Sequence, residues 1–189
     1  MSAGHLIKAT HLAKNFISSV LKAGDVAVDA TMGNGNDTIF MAELVGDTGK
    51  VYAFDIQQKA LDETKIKLSN QSLLHRTELI HAGHEDMDQY VKTEAAAIMF
   101  NLGYLPKGDH HIVTRAQTTI RAIEKGLSLL KTNGLLTITI YHGHPEGLDE
   151  KEAVLSYVKN LDQKLFNVLY MEFINQANNP PLLVAAEKK

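Results

Sequence analysis

Two glycines and two carboxylates surround the end of the first predicted strand. The segment 26–37, VAVDATMGNGND, contains Gly33 and Gly35, which let a backbone turn tightly and approach a ligand closely. Asp29 ends this strand, and Asp55 ends the next one. A carboxylate at the end of the second strand can accept hydrogen bonds from both hydroxyls of a ribose. This combination predicts a site for a cofactor that contains a nucleoside.

The type of cofactor follows from what the glycine loop lacks. The dinucleotide fingerprint G-x-G-x-x-G requires glycine at position 38, where this chain has Thr38. Adenosylmethionine has no pyrophosphate, and it presents an α-ammonium that Asp29 could attract directly or through water. Ile56 is placed to pack on adenine, and the loop after the third strand offers His84 or Glu85 to the adenine edge. We therefore expect adenosylmethionine; the alternative is that the glycines only form a turn and the acids only cap helices.

A second group of candidate residues follows the fourth predicted strand. The segment 101–104, NLGY, is similar to the D/N-P-P-Y segment of methyltransferases that alkylate amino nitrogens, with Leu102 and Gly103 in place of the prolines. The side-chain oxygen of Asn101 could accept a hydrogen bond from the target nitrogen and aim its lone pair at the sulfonium methyl. The ring of Tyr104 could stack on a planar base. The alternative is that Asn101 merely ends a strand and that Tyr104 packs within the loop.

Four histidines lie on the loops that follow the fourth and fifth strands. They are His110, His111, His142 and His144. His-x-His on a turn, in a chain without cysteine, is a weak metal signal, and methyl transfer from a sulfonium needs no metal. We expect no metal site. Substrate contact or proton handling is the functional alternative to an ordinary loop role, and His142 is our candidate for it.

Alternating strands and helices must position these residues. Strands are predicted at 26–30, 50–55, 78–82, 95–101, 135–141, 166–174 and 181–187, and helices at 6–21, 37–45, 61–69, 114–130 and 148–161. The alternation predicts parallel β-α-β units. No helix fits between Ile174 and Leu182, so the last two strands should pair as antiparallel neighbours around a polar turn, which is either a plain hairpin connection or a substrate-facing lip. We expect an α/β, Rossmann-like class I methyltransferase fold: a mostly parallel seven-stranded sheet with an antiparallel last strand and helices on both faces.

Length and composition limit the remaining possibilities. With 189 residues, 44% of them hydrophobic, we expect one domain over 1–189, in which 1–24 form a helix that precedes the first strand. The absence of cysteine excludes disulfides, and no apolar run approaches the roughly 18 residues of a membrane span, so we expect a soluble cytoplasmic protein. The net charge of −3 does not suggest a nucleic-acid partner, although a local basic surface could still attract one. A homodimer is possible.

Several motifs together connect the chain to a known family. The glycine loop, NLGYLPxGD, YHGHPEG and the NxxNNPP turn resemble the bacterial YtqB-like group over nearly the whole chain. That group was first labelled as rRNA methylases, and its members are assigned as MnmM, the tRNA 5-aminomethyl-2-thiouridine methyltransferase. The resemblance implies methyl transfer from adenosylmethionine to the exocyclic aminomethyl nitrogen of a wobble uridine, in the anticodon loop of tRNA. The product would be the 5-methylaminomethyl form.

The loops and the resemblance together define the candidate site. The cofactor-binding candidates are Asp29, Thr31, Gly33, Gly35, Asn36, Asp37, Asp55, Ile56, Gln57, His84, Glu85 and Asn101. The catalytic candidates are Asn101, Tyr104, Asp109 and His142. Further positions implied by the resemblance are Gly103, His110, Tyr141, His144 and Glu146. Asp109 or a nearby histidine could accept the departing proton, and the sequence leaves that choice open.

Basic residues near these loops are candidates for RNA contact. They are Lys8, His11, Lys14, Lys107, Arg115 and Arg121, and the alternative is that they are ordinary solvated side chains. Stacking of Tyr104 on an extruded base would suit the way proteins recognise single-stranded RNA loops. Two other functions are kept open: an rRNA or small-molecule N- or O-methyltransferase on the same fold, and a non-catalytic module that binds adenosylmethionine or RNA.

Overall fold

The computed structural model describes residues 8–103, 114–143 and 145–189. One seven-stranded sheet runs through this part of the chain. Its strands are β1 (Val26–Asp29), β2 (Lys50–Asp55), β3 (Thr77–His81), β4 (Ala95–Leu102), β5 (Leu130–Ile140), β6 (Phe166–Met171) and β7 (Leu182–Lys188). Their spatial order is β3-β2-β1-β4-β5-β7-β6.

The strand directions confirm the predicted sheet. The strands β1 to β5 pair in parallel, and β7 pairs antiparallel with both β5 and β6. Nearly every residue of the central strand β4 is buried, as expected for a parallel strand covered on both faces. The strand order reverses between β1 and β4, and in such sheets ligands bind in the crevice at the carboxyl ends of those strands.

In the part of the chain that the structure describes, six α-helices cover the two faces of the sheet. They are α1 (Ala9–Val20), α2 (Asn36–Val45), α3 (Gln58–Asn70), α4 (Met87–Tyr90), α5 (Ala116–Leu129) and α6 (Pro145–Lys159). Buried side chains of α1, α2 and α3 form one hydrophobic cluster, and those of α4, α5 and α6 form a second cluster on the opposite face. In α1 the buried residues Ala9, Ala13 and Ile17 recur every four positions, which places them on one face of the helix. Within the described residues, no helix is both long and apolar enough to cross a membrane.

Several element boundaries differ from the prediction by a few residues, and two of the differences have a clear physical reason. The strand β5 begins at Leu130 and not at 135, because Leu130 pairs with Ala95 of β4 and the register then shifts across a bulge. Asn133, which precedes Gly134 in a pair typical of turns, takes a left-handed φ of 61° within β5. The helix predicted at 148–161 begins earlier, at Pro145, and proline is well suited to a first helical position because it has no N–H to satisfy.

Candidate active site

A cleft of about 1150 Å³ opens at the carboxyl ends of the central strands. Ten of the twelve predicted cofactor residues line it: Thr31, Gly33, Asn36, Asp37, Asp55, Ile56, Gln57, His84, Glu85 and Asn101. The other two, Asp29 and Gly35, are buried behind the lining. Residues as far as 70 positions apart in sequence therefore converge on one cavity, as the strand-end positions predicted.

The glycine loop is held from the side by α3. Gly33 and Gly35 take left-handed φ values of 50° and 75°, and a Cβ on Gly35 would lie 2.6 Å from Thr64 Oγ1. Thr64 donates a hydrogen bond to Gly33 O at 3.1 Å, and Lys67 donates one to Asn34 O at 2.6 Å. Glycine is therefore required at position 35 for space as well as for conformation. Sequence reasoning missed Thr64 and Lys67, since nothing local marks them as partners of a loop about 30 residues away.

Asp29 supports this loop from below. Its side chain is fully buried and accepts hydrogen bonds from Thr38 Oγ1 at 2.6 Å and from the Thr31 N–H at 3.2 Å. Burial, with a smaller contribution from the charge of Asp37, raises the pKa of Asp29 to about 7. Because it is fully buried, the Asp29 carboxylate cannot contact a molecule in the cleft directly. This corrects our expectation of a direct contact with an α-ammonium; attraction through water stays a prediction. Its charge can still act over a short distance. Thr38, which we noted only as the missing glycine, is its hydroxyl donor.

Asp55 is held in place by the loops on either side of it. Its Oδ2 accepts the Gly33 N–H and its Oδ1 accepts the Gln57 N–H, both at 2.9 Å. Each carboxylate oxygen has a further lone pair, so Asp55 keeps the capacity to accept hydrogen bonds from a ribose. The neighbouring Ile56 side chain is 55% exposed and lines the cleft, where it presents apolar surface suited to a planar base.

His84 and Glu85 are both in the cleft wall, but their surroundings differ. His84 is buried, and its Nδ1 lies 3.2 Å from Ala30 O. Burial lowers the pKa of His84, so its ring is neutral and Nδ1 carries the donated proton. Glu85 is less buried, and its carboxylate lies over Gly83, where a Cβ would approach Oε2 to 2.3 Å. Glu85 is therefore the more accessible of the two alternatives for the adenine edge.

Asn101 has the most informative contacts in the cleft. Its backbone N–H donates to Thr31 Oγ1 at 2.7 Å, and its Nδ2 donates to Asp37 Oδ2. The other oxygen of Asp37 forms an ion pair with Lys14 Nζ at 2.8 Å. Asn101 Oδ1 is buried and has no hydrogen-bond partner among the described residues. One end of the amide is thus fixed, and the other end is a buried acceptor without a partner, on a residue that lines the cleft.

His142 also brings an unpaired polar atom to this region. It is buried, it lines the cleft, and its Nδ1 has no hydrogen-bond partner in the described part of the chain. The adjacent Tyr141 is partly exposed, and burial together with the charge of Asp37 raises its pKa.

Some of the predicted site residues lie outside the described residues: Tyr104, Asp109, His110, His111, His144 and the side chain of Glu146. The predictions made for them stay predictions.

A buried carboxylate holds together the two ends of the segment that follows β4. The Gly103 N–H donates to Thr114 Oγ1 at 3.0 Å, and the Thr114 N–H donates to Gly103 O at 3.1 Å. Glu150 of α6 is buried and accepts hydrogen bonds from the hydroxyls of Thr114 and Thr119, both at 2.6 Å. Sequence reasoning did not find this network, because Glu150 looks like any charged residue of an amphipathic helix.

The predicted RNA-contact residues occupy different environments. Lys8, His11, Arg115 and Arg121 are exposed, and Arg115 lines the cleft, whereas Lys107 lies outside the described residues. Lys14 is engaged in its ion pair with Asp37.

The turn before β7 places Asn178 and Asn179 at the cleft with left-handed φ values of 65° and 49°. This position favours the interpretation of the turn as a substrate-facing lip.

No group of three or more histidine and acidic side chains within the described ranges is arranged to hold a metal ion. Because His110, His111 and His144 fall outside those ranges, the expectation of no metal site stays a prediction.

Comparison with known proteins decides the family. The profile of the family described as "Putative rRNA methylase" matches residues 51–187. The chain belongs to this family. It is 35% identical over 187 residues to the chloroplastic tRNA (mnm(5)s(2)U34)-methyltransferase of Arabidopsis thaliana, an alignment that covers 93% of this chain and 68% of the relative. The predicted membership of this group of methyltransferases is confirmed.

Two solved structures of similar proteins agree with this family membership. The "putative rRNA-methylase" of Clostridium thermocellum is 49% identical, with a TM-score of 0.97 and coverage of 98% of this chain and 100% of the other. A "putative methyltransferase" of Streptococcus mutans, in complex with SAH, is 43% identical, with a TM-score of 0.90 and coverage of 97% and 99%. The expected class I fold is confirmed. The expected cofactor, adenosylmethionine, is also confirmed, because the chain has the fold of adenosylmethionine-dependent methyltransferases and the similar Streptococcus mutans protein was solved in complex with SAH.

Proposed function

We propose that this chain methylates an amine nitrogen on RNA, and that its substrate is the exocyclic aminomethyl nitrogen of a modified wobble uridine in the anticodon loop of tRNA. The observation that carries this proposal is the buried, unpaired Oδ1 of Asn101 in the cleft wall. The name of the Arabidopsis relative supports tRNA as the substrate, although the family name refers to rRNA.

A free buried acceptor requires a donor, because an unpaired polar atom costs about 1–3 kcal/mol. An amine supplies that donor. When a neutral amine donates one N–H to Asn101 Oδ1, its lone pair is left pointing in another, defined direction. Holding a nucleophile in this way can account for several kcal/mol of a reaction barrier. Asn101 would therefore orient the target nitrogen.

The residues around the glycine loop are suited to hold adenosylmethionine, which supplies an electrophilic methyl group on a sulfonium. Asp55 would accept hydrogen bonds from the ribose, and Ile56 would cover the adenine. The carboxylates of Asp37 and Asp55 line the cleft, and Asp29 lies directly behind it. This concentration of negative charge favours a positively charged ligand.

The nitrogen must lose a proton when it gains a methyl group. An alkylamine is mostly protonated at neutral pH, and burial beside a positive charge lowers its pKa and exposes the lone pair. We propose that Nδ1 of His142 accepts the departing proton, since it is buried at the cleft without a partner among the described residues. Asp109, which lies outside those residues, is the alternative acceptor.

The test is single-turnover methylation of tRNA carrying 5-aminomethyl-2-thiouridine, read by mass spectrometry of nucleosides. Unmodified tRNA, rRNA fragments and small amines serve as competing substrates. The wild type should methylate only the aminomethyl uridine, and Asn101→Ala should lose most of the rate while its affinity for adenosylmethionine changes little. Methylation of rRNA or of small amines in preference to this tRNA would refute the proposed substrate. An unchanged rate in Asn101→Ala would refute the role of the amide.

A further inference from the structure

We propose that Lys14 and Asp37 are positioning residues that fix the orientation of the Asn101 side-chain amide. The sequence had suggested other roles for both, an RNA contact for Lys14 and a cofactor contact for Asp37. This inference rests on the proposed function in one respect, namely that Asn101 Oδ1 receives the target amine.

The amide of Asn101 has two similar ends, and its partner decides which end faces the substrate. Asp37 forms an ion pair with Lys14, and a carboxylate can only accept hydrogen bonds, so it must receive the NH₂ end. The backbone of Asn101 is fixed separately by its hydrogen bond to Thr31 Oγ1. Oδ1 is therefore turned away from Asp37, and it is the end that remains without a partner among the described residues. Reversal of the amide would place two acceptors together at Asp37.

Lys14 keeps Asp37 in this position. Its Nζ lies 2.8 Å from Asp37 Oδ1, donates to Asn36 O at 3.3 Å, and stands 4.9 Å from the centre of the Phe40 ring. The ammonium is thus directed at three groups of α2. With one carboxylate oxygen bound to Lys14 and the other to Asn101, the Asp37 side chain cannot rotate without breaking both contacts. The side chains of Lys14 and Asp37 are only 30% and 14% exposed, so water competes weakly.

The helix α1 explains why this lysine is available. The neighbouring residue Ala13 is fully buried against the sheet, and Lys14 follows it at the edge of the buried face. The packing of α1 therefore carries Lys14 to the cleft, where it also contributes to the lining. The helix α1, which precedes the first strand, therefore helps to position the side chains of the site.

The chain offers a matched control. Lys131 forms an ion pair with Asp25 at 2.6 Å, with side chains 37% and 20% exposed, and neither residue lines the cleft. Lys131→Met should therefore remove a comparable ion pair without affecting the site. Any loss of turnover specific to the Lys14 pair can then be separated from a general effect of losing such a pair.

The first test compares the kinetics of Asp37→Asn, Lys14→Met, Lys14→Arg and Lys131→Met on the modified tRNA. An asparagine at position 37 has one oxygen for two donors, so the amide of Asn101 should reverse in part of the molecules. We expect Asp37→Asn to lower kcat by about a hundredfold, as for a reacting group displaced by about 1 Å, with KM for adenosylmethionine changed by less than about threefold. Lys14→Met should lower kcat, Lys14→Arg should restore most of it, and Lys131→Met should leave it unchanged. Unchanged kcat in Asp37→Asn and Lys14→Met, or a loss confined to KM, would overturn the inference.

The second test does not depend on the substrate. The side-chain ¹⁵N–¹H₂ signals of Asn101, assigned by their loss in Asn101→Asp, should shift in Asp37→Asn and Lys14→Met but not in Lys131→Met. If the signals shift as expected while the wild type does not methylate the aminomethyl uridine, the proposed function fails and the positioning stands. If the wild type is active and the Asn101 signals are the same in Asp37→Asn, the positioning fails and the proposed function stands.

Discussion

The buried carboxyl of Asp29 gives a prediction that can be worked out quantitatively. Burial raises its pKa from an ordinary value of 3.8 to about 7. Each pH unit corresponds to about 1.36 kcal/mol, so the free energy of unfolding of the ligand-free protein should contain a contribution of about 4 kcal/mol that depends on pH. The pKa is higher in the folded state than in the unfolded state. The contribution is therefore fully present below about pH 4 and is lost as the pH rises to 7.

The variant Asp29→Asn isolates this contribution because asparagine does not ionise. Asparagine also has only one acceptor oxygen, so the Thr31 N–H or the Thr38 hydroxyl loses its partner, at a cost of about 1–3 kcal/mol at every pH. The sign of the difference from wild type at any single pH is consequently not diagnostic. The diagnostic quantity is how this difference changes with pH. Between pH 4 and pH 8, the free energy of unfolding of Asp29→Asn should rise by about 4 kcal/mol relative to that of the wild type.

Urea unfolding of both proteins at several pH values, without ligand, measures this change. Adenosylmethionine provides a second measurement, because a positive ligand favours ionised Asp29. Its affinity for the wild type should therefore rise between pH 5 and pH 8, while its affinity for Asp29→Asn should stay nearly constant. If the difference in stability between the two proteins varies by less than about 1 kcal/mol over this range, the reasoning from burial is wrong.

Three further predictions concern the cofactor, the segment after β4 and metal. Asp55→Ala should weaken adenosylmethionine binding by about 1–3 kcal/mol in calorimetry, because the Gly33 and Gln57 N–H groups lose their shared acceptor; an unchanged affinity would remove Asp55 from the site. Glu150→Gln should lower both the melting temperature and the turnover rate, because the hydroxyl of Thr114 or Thr119 loses its acceptor. The control Glu152→Gln, on the exposed side of α6, should change neither. An equal effect of the two substitutions would contradict that role. Methylation should survive a strong chelator, and activity lost in chelator and restored by zinc would show that the histidine loops were misinterpreted.

Much of the fold follows from local patterns. The alternation of apolar segments and the absence of room for a helix between Ile174 and Leu182 were enough to predict a parallel sheet that ends in an antiparallel strand. Element ends were less predictable where tertiary pairing acts. The strand β5 starts at Leu130 because β4 offers a partner there, and Asn133 enters the sheet in spite of its turn-forming sequence.

The sequence by itself also determined which loops form the cleft, since the ends of parallel strands must meet at one edge of the sheet. The glycine loop, Asp55 and Asn101 line this cleft. The tertiary structure decided what each side chain does. The hydrogen bonds of Asn101 with Asp37 and Thr31 span 64 and 70 residues, and the hydrogen bond from Lys67 to Asn34 O spans 33 residues. Such contacts depend on how packed helices and strands bring distant segments within 3 Å, and no local residue pattern encodes that distance.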